Sequence, residues 1–398
     1  MPSNGSTRRD ALKLVGTAAG ASSLSGVAAA APGEGDGVEK VVVNIGWANE
    51  RGRSKAKDAS GEEVREFQFD AMTKRMPKPA IEGLQNNPNI RYVEENGTME
   101  ALAQSTPWGI DRTDSEVAHA NGDTGSGADI AIIDTGIDGD HPDLEANVGA
   151  GKAFAVCGSG GTFGGCYFSG NSNSCNQDWS DDNDHGTHCA GTANAVNNGQ
   201  GVVGVSTEAT LHGVKVLDCA GSGSFSDIAA GVEYVADQGW DVASMSLGGS
   251  SSSQALKDAV SYAAGKGVFL VAAAGNSGSC TDCVGYPAAY GEVMAVSATS
   301  SDDSLASFSS TGPEVEIAAP GENVNSTVAG GYGQKSGTSM ACPHVAGAAG
   351  QLAAQGLSRT EIRSSLKRHP GDIGRGANAS GSGLLDVAAA LGYDSSDN

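Results

Sequence analysis

Basic residues are scarce in this sequence. Among its 398 residues, 24 Lys and Arg stand against 47 Asp and Glu, so the formal net charge is −23. Such a chain is not expected to bind nucleic acid, because contacts to the phosphate backbone require a basic surface. Hydrophobic residues make up 39% of the chain, which is enough to build a sizeable core and excludes wholesale disorder.

The shortage of basic residues is confined to one part of the chain. Residues 1–102 hold 13 basic and 14 acidic residues, whereas residues 103–398 hold 11 basic and 33 acidic. We therefore expect two regions made for different environments or lifetimes. An acidic surface with few lysines favours solubility in concentrated salt, where screening removes the repulsion between its charges. An ordinary acidic exported protein is the alternative interpretation.

Long hydrophobic runs are also missing. The longest mildly apolar stretch, residues 14–31, is rich in Ala, Gly and Ser, and it is too short and too polar to remain as a membrane span. It follows the pair Arg8-Arg9 and ends in small residues before Pro32, a pattern typical of a twin-arginine export signal over residues 1–32. We predict a secreted, extracellular and monomeric product without a membrane span.

Two short motifs that mark known enzyme classes are absent. The sequence has no HExxH, and His185 and His188 have no second Cys/His pair at metal-ligand spacing, which disfavours a zinc site. No GxSxG surrounds Ser339, which disfavours an esterase. Of the eight cysteines, Cys280 and Cys283 form a CxxC that is either a small-loop disulfide or a metal clip, and export favours the disulfide.

A small separate domain is predicted over residues 33–102. Alternating or branched apolar residues indicate strands at residues 40–45, 67–72 and 89–94, and a short helix is expected at residues 80–84, before Pro88. Strands and a helix in about 70 residues make a marginal α+β unit.

Four segments of the larger region carry side chains that are suited to catalysis. Asp134 ends a buried strand of branched residues, and His185 opens a run of small residues. Asn276 follows an apolar strand, and Ser339 opens an apolar helix after Gly337. Each has an ordinary structural interpretation on its own: a capping carboxylate, a structural histidine, a turn asparagine and an N-cap serine.

Together, in the chain order Asp, His, Asn, Ser, these segments resemble the subtilisin-like serine proteases, or subtilases. The resemblance covers about residues 103–391 and includes Gly186-Thr187-His188 and Asn197-Asn198. The acidic composition and the export signal are most similar to those of halolysins, the extracellular subtilases of haloarchaea. The resemblance implies an α/β catalytic domain over residues 103–398, with three layers and a mostly parallel central sheet flanked by helices. Residues 33–102 would be its α+β propeptide.

The resemblance implies a role for each of the four residues. Ser339 would be the nucleophile, His185 the general base, and Asp134 the group that orients His185. The side-chain amide of Asn276 and the backbone N–H of Ser339 would form the oxyanion hole. A secreted binding module that has lost catalysis is the non-enzymatic alternative, and the presence of all four residues disfavours it.

The resemblance also implies where a peptide or protein substrate would bind. An extended chain would pair with two edge segments, Gly221-Ser222-Gly223 and Ser246-Leu247-Gly248. The first-subsite wall would consist of Ala273, Ala274 and Gly275. The neighbouring positions Ser277 and Gly285 carry no charge, so a neutral or apolar residue is expected before the cut. The fourth subsite would likewise be apolar, lined by Phe225, Ile228 and Leu247.

Finally, the resemblance implies a structural Ca²⁺ and a self-cleaved propeptide. The ion would be held by the side chains of Gln104, Asp143 and Asn198 and by the backbone carbonyls of Val196, Gln200 and Val202, all oxygen ligands that suit a hard cation.

The run from Ala103 to Gly109 resembles a mature subtilisin start. Cleavage before Ala103 would place Leu102 and Met99 in the first and fourth subsites. Until then the propeptide would act as an intramolecular inhibitor.

Overall fold

The chain divides into two compact units, residues 1–100 and residues 101–398. The computed structural model describes residues 40–96, 104–158, 175–278 and 280–395. The expected export signal and the expected cleavage point between Leu102 and Ala103 lie outside these residues. Among the described helices, none combines the length and the apolar character needed to cross a membrane.

The smaller unit contains one antiparallel sheet with strand order β2-β3-β1-β4. Its elements are β1 (Lys40–Trp47), α1 (Glu50–Asp58), β2 (Glu62–Glu66), β3 (Ala71–Pro77), α2 (Lys78–Gln85) and β4 (Ile90–Glu95). Its core is a small cluster of buried side chains, namely Val43, Ile45, Trp47, Ala56, Met72, Met76 and Leu84.

Two sequence-based expectations for this unit need correction. The strand predicted at residues 67–72 is wrong, because residues 67–70 form the turn between β2 and β3 and Asp70 has a left-handed φ of 55°. The rings of Phe67 and Phe69 stack on each other at 4.7 Å within this turn, and Phe69 stays 63% exposed. Helix α1 was not predicted, because its sequence is almost entirely polar and charged.

The larger unit is built on a seven-stranded sheet with order β11-β10-β9-β8-β5-β7-β6, in which every pairing is parallel. Its strands are β5 (Asp129–Asp134), β6 (Lys152–Ala153), β7 (Thr210–Lys215), β8 (Val242–Met245), β9 (Phe269–Ala273), β10 (Val293–Thr299) and β11 (Val315–Pro320). A separate hairpin consists of β12 (Val324–Val328) and β13 (Gly331–Lys335).

Helices cover both faces of this sheet. They are α3 (Trp108–Arg112), α4 (Ser115–Ala120), α5 (His185–Asn194), α6 (Phe225–Gln238), α7 (Gln254–Lys266), α8 (Thr338–Ala354), α9 (Arg359–Leu366), α10 (Ala377–Ser380) and α11 (Val387–Leu391). Alternate side chains of β5 point to opposite faces, so Ile130 and Ile132 join the core under α5 and α8, whereas Ile133 joins the core under α6 and α7. The expected three-layer α/β fold is confirmed.

Strand order explains how residues far apart in the sequence meet. Strands β9, β8 and β5 are neighbours, and their carboxyl ends lie at one edge of the sheet. Asp134 ends β5, Ser246 follows β8, and Asn276 follows β9. In open parallel sheets this edge is where ligands bind.

Candidate active site

Asp134 and His185 form a direct hydrogen bond. His185 Nδ1 lies 2.8 Å from Asp134 Oδ1, and the backbone N–H of Thr135 donates to the same oxygen at 2.7 Å. Asp134 is fully buried. Burial is the largest single influence on the pKa of His185 and lowers it, but the charge and hydrogen bond of Asp134, together with the charge of Asp181, raise the pKa above its ordinary value. The pair is therefore built to stabilise a protonated imidazole.

A buried carboxylate, Asp181, fixes the geometry of this pair. It accepts hydrogen bonds from Thr135 Oγ1 at 2.8 Å and from Thr187 Oγ1 at 2.6 Å. Thr135 Oγ1 in turn accepts from the backbone N–H of Gly186 at 2.9 Å. One network therefore joins the residue after Asp134 to both residues that follow His185.

Lys215, at the end of β7, forms a second buried network beneath the site. It is fully buried, and its Nζ donates to Asp182 Oδ1 at 2.6 Å, to the Thr135 carbonyl at 2.6 Å and to the Leu217 carbonyl at 2.9 Å. All three ammonium hydrogens thus have acceptors, which a buried charge requires. This lysine ties the loop after Asp134 to the acidic segment that precedes His185.

Ser339 is the second residue of α8. Its Oγ donates to the carbonyl of Ser246 at 3.0 Å, and Ser246 Oγ donates to the carbonyl of Ser339 at 2.8 Å. As a residue of the first helical turn, Ser339 has a backbone N–H without a partner inside the helix, at the positive end of the helix dipole. The helix begins at Thr338, one residue before the position expected from the sequence.

Thr338 orients the side-chain amide of Asn276. Asn276 Oδ1 accepts from the Thr338 backbone N–H at 2.9 Å and from Thr338 Oγ1 at 3.0 Å. The amide nitrogen therefore remains available to donate to another group. Gly275 has a φ of 117°, which a residue with a side chain rarely adopts, and this turn leads the chain from β9 to Asn276.

Two buried thiols lie behind the site. The ligand atoms of Cys189, Asp134 and His185 all lie within 4.8 Å of one another. Burial raises the pKa of Cys189 well above its ordinary value and that of Cys342 to about 11, so both are neutral thiols at neutral pH. A neutral, buried thiol is a poor nucleophile, because the thiolate is the reactive form.

Two adjoining cavities flank these residues, and they share Ser246, Leu247, Gly248 and Gly249. The first measures about 550 Å³ and contains His185 together with Gly221, Ser222, Gly223, Phe225 and Ile228. The second measures about 510 Å³ and contains Ser339, Asn276, Ala273, Gly275, Ser277 and Gly285. Most of the expected substrate residues thus lie along one continuous depression.

Ala274 is the exception. It is fully buried and lines neither cavity. Its carbonyl accepts from the Gly285 backbone N–H at 2.9 Å, and its own N–H donates to the Val296 carbonyl at 2.9 Å. Ala274 therefore supports the wall of the second cavity from behind and does not form its surface.

Four of the expected calcium ligands, Val196, Asn198, Gln200 and Val202, lie on the loop after α5, and the side chains of Gln104 and Asp143 contact that loop from other segments. The carbonyls of Val196 and Val202 converge on one atom, Gln104 Nε2, at 2.7 and 2.9 Å. Asp143 Oδ1 lies 3.0 Å from Asn198 Nδ2, and Gln200 is held by its backbone N–H on Asn198 Oδ1. Rotating the amide of Gln104 would bring its oxygen to the position that Nε2 now occupies between the two carbonyls. Rotating the amide of Asn198 would likewise bring its oxygen next to Asp143 Oδ1. The donor set, made of carboxylate, amide and carbonyl oxygens, fits Ca²⁺.

The cysteine pairs bear on one sequence-based choice. Cys280 and Cys283 form a disulfide, which supports that interpretation of the CxxC against a metal clip. A second disulfide joins Cys157 to Cys175, and Cys219 is disulfide-bonded as well.

Comparison with known proteins assigns the family. The subtilase family model matches residues 125–383. The chain is 38% identical to subtilisin amylosacchariticus of Bacillus subtilis subsp. amylosacchariticus over 391 residues, 96% of each protein. It is 44% identical to an alkaline protease of Alkalihalobacillus alcalophilus over 313 residues, covering 78% of this chain and 76% of that relative. Subtilisin J of Geobacillus stearothermophilus is 40% identical over 339 residues, 84% of each. This chain belongs to the subtilase family.

This subtilase is accordingly a subtilisin-like serine endopeptidase. The sequence-based prediction did not include three residues of the site, Asp181, Lys215 and Thr338. Asp181 belongs to an acidic run just before His185, and nothing in the sequence distinguishes it from Asp182 or Asp184. Thr338 could have been noticed, because it directly precedes the serine that opens the helix.

Proposed function

We propose that this subtilase is made as an exported precursor and cleaves proteins and peptides through an acyl-enzyme on Ser339. The observation that carries the proposal is the 2.8 Å hydrogen bond between Asp134 and His185, at the sheet edge that also holds Ser246 and Asn276. Asp134 keeps the proton of His185 on Nδ1, which leaves Nε2 free to accept another.

The reaction begins when the Ser339 hydroxyl leaves the carbonyl of Ser246 and turns to His185. Its oxygen attacks the carbonyl carbon of the substrate while His185 Nε2 takes its proton. The C–N bond then breaks, and His185 returns the proton to the leaving amine. Water attacks the ester on Ser339, with His185 again as base, and the new carboxylic acid is released.

The negative charge on the attacked carbonyl oxygen has two donors. One is the amide nitrogen of Asn276, whose orientation is fixed by Thr338. The other is the backbone N–H of Ser339 at the start of α8. Both donors stand in position before the reaction, so stabilising the oxyanion needs no reorganisation.

The substrate would lie extended between Gly221–Gly223 and Ser246–Gly248. The cavity beside Ser339 has small, uncharged side chains at Ala273, Ser277 and Gly285. A neutral or apolar residue before the cut is therefore favoured. Phe225, which is 42% exposed, offers an apolar surface to the fourth residue before the cut.

Processing would begin at the twin-arginine signal over residues 1–32 and would end with self-cleavage near Leu102-Ala103. Residues 33–102 would serve as chaperone and inhibitor until that cut, after which residues 103–398 act as a secreted monomer. The match to subtilisin amylosacchariticus supports this arrangement, because it covers 96% of this chain and so includes most of the smaller unit.

A bound Ca²⁺ would be structural. Gln104, Asp143 and Asn198 would hold it together with the carbonyls of Val196, Gln200 and Val202. The ion would cross-link the beginning of the catalytic unit to the loop after α5. It takes no part in the proton transfers.

The surplus of acidic residues supports a halolysin-like adaptation to concentrated salt. The region from residue 103 onward carries 33 acidic and 11 basic residues. Salt would screen their mutual repulsion and thereby stabilise the folded state.

A serine-directed fluorophosphonate probe tests the proposed chemistry. We expect labelling of the wild type, no labelling of Ser339→Ala, and casein cleavage that rises across a salt series. Matched ester and peptide substrates separate a protease from an esterase. Labelling without peptide cleavage, or casein cleavage by Ser339→Ala, would overturn the proposal.

A further inference from the structure

Asp282 is the one charged side chain among the described residues that line the cavity beside Ser339. The other lining residues are small, apolar or neutral polar, including Ala273, Ser277 and Val284. The sequence-based prediction of an uncharged first subsite considered Ser277 and Gly285 and did not consider Asp282. A carboxylate in this cavity changes which substrate side chains it can hold.

The segment that carries Asp282 is fixed in place. A disulfide joins Cys280 to Cys283, which encloses Asp282 in a short covalent ring. The backbone N–H of Cys283 donates to the carbonyl of Thr311 at 2.9 Å, and Thr311 Oγ1 donates to the carbonyl of Cys280. Because the segment is anchored at both ends, the backbone of Asp282 is fixed at the wall of the cavity that this residue lines.

No Lys, Arg or His of the described chain forms an ion pair with Asp282. A second acid lies close to it. A Cβ placed on Gly312 would lie 3.5 Å from Asp282 Oδ1 and 2.8 Å from Glu314 Oε2, an oxygen that has no hydrogen-bond partner. Two carboxylates therefore flank Gly312, and their combined negative charge has no counter-ion within the described protein.

We propose that Asp282 makes this cavity accept Lys or Arg before the cut, in addition to neutral and apolar residues. The methylene groups of such a side chain would pack on Ala273 and Val284, and its cationic end would reach the carboxylate. This inference rests on the proposed function, because it requires the cavity beside Ser339 to hold the residue before the scissile bond.

The test compares peptide substrates that differ only in having Leu, Lys or Glu before the scissile bond. In Asp282→Asn we expect kcat/KM for the Lys substrate to fall roughly threefold to tenfold, the range of a partly solvated charge pair. The Leu value should change less than about twofold, and the Glu value should rise. Asp282→Lys should reverse the ranking of the Lys and Glu substrates.

Glu233→Gln is the matched control, because Glu233 is an exposed acid on α6 outside both cavities, and its substitution removes one negative charge just as Asp282→Asn does. It should leave the ratio of Lys to Leu cleavage unchanged. An equal ratio in wild type, Asp282→Asn and Asp282→Lys would overturn the inference while leaving the protease intact. Failure of the wild type to cleave the Leu substrate would instead contradict the proposed function.

Salt offers an independent measurement. The Debye length is about 10 Å at 0.1 M and about 3 Å at 1 M, so an exposed carboxylate loses most of its reach in concentrated salt. The difference between wild type and Asp282→Asn on the Lys substrate should therefore shrink as salt rises, while their Leu values stay equal. A difference that does not change with salt would show that Asp282 acts through the shape of the cavity and would refute the electrostatic proposal.

Discussion

The two units of this protein differ in their net charge and in the size of their hydrophobic core. The smaller unit carries nearly balanced charge and buries one small cluster around Ile45 and Trp47. The catalytic unit buries a core on each face of its sheet and carries three acids for every base. A large core can offset the repulsion of surplus acids, whereas a small core cannot. This difference is expected if the smaller unit is removed by cleavage and the catalytic unit must stay folded afterwards.

Removing the proposed nucleophile, Ser339, tests this difference in lifetime and has the largest expected effect. Ser339→Ala should abolish proteolysis and leave the two units in one uncut chain, because the proposed cut before Ala103 needs Ser339. Loss of this serine in subtilisins, relatives of this chain, lowers kcat about 10⁶-fold, a magnitude we adopt from them. Gel electrophoresis and intact-mass measurement would record the uncut chain. Normal processing with no other protease present would contradict the assignment of Ser339.

Removing the oxyanion donor should have the next largest effect. Asn276→Leu should lower kcat roughly 10²–10³-fold with little change in KM, a range taken from the equivalent change in a subtilisin. Steady-state kinetics would measure it. Thr338→Ser is the matched control, because it keeps both hydrogen bonds to Asn276 Oδ1 and should stay close to wild type. A turnover of Asn276→Leu within a few-fold of wild type would remove Asn276 from the proposed hole.

A third experiment compares one lysine from each unit. Lys215 is fully buried with Asp182, whereas Lys57 pairs with Glu66 at a side-chain exposure of 41% and 26%. In the Ser339→Ala background, Lys215→Met should destabilise the catalytic unit by about 3–5 kcal/mol, because it leaves a buried carboxylate unpaired. Lys57→Met should destabilise the smaller unit far less, because a solvent-exposed ion pair contributes little to stability. Denaturant unfolding, monitored by hydrogen exchange in each unit, would measure both losses of stability. Equal costs would refute the contrast between buried and exposed pairs.

Calcium removal should affect the catalytic unit alone. A chelator should shorten the half-life of the mature enzyme at elevated temperature, because loss of the ion would free Gln104 from the loop after α5. Asp143→Ala should have the same effect and should make the chelator ineffective. Glu233→Gln, at an exposed position on α6, serves as the control and should still respond to the chelator. A half-life that neither the chelator nor Asp143→Ala changes would exclude the site.

The sequence predicts a structural feature of this protein when the contacts that determine the feature join residues close together in the chain. The four segments proposed for catalysis were recognisable in the sequence, because each is a strand end or a helix start marked by its own neighbours. The network of Asp181 and the burial of Lys215 were not, since each depends on a partner from a distant segment, Thr135 for Asp181 and Asp182 for Lys215. Asp282 was missed as well, because its segment is anchored by hydrogen bonds to Thr311, on a distant part of the chain, in addition to the local disulfide. In the smaller unit, alternating phenylalanines predicted a strand where the structure has a turn.

Low salt should separate the two units most directly, with a modest effect spread over many charges. At ~0.01 M ionic strength the Debye length is about 30 Å, so repulsion sums across the catalytic unit, and at 1 M it shrinks to about 3 Å. The folded state concentrates the charge and is therefore destabilised most when screening is lost. The Ser339→Ala chain keeps both units in one sample, so hydrogen exchange can compare β5, β8 and β9 with β1 and β3. We expect protection of the first set to fall at 0.01 M NaCl relative to 3 M, with calcium held constant, while protection of the second set stays level.

Sulfate should protect more than chloride at equal ionic strength, because it is excluded from protein surfaces. Equal protection of β5, β8 and β9 at both salt concentrations, together with undiminished activity of the wild type at 0.01 M, would reject adaptation to salt and leave an acidic subtilase of ordinary salt tolerance.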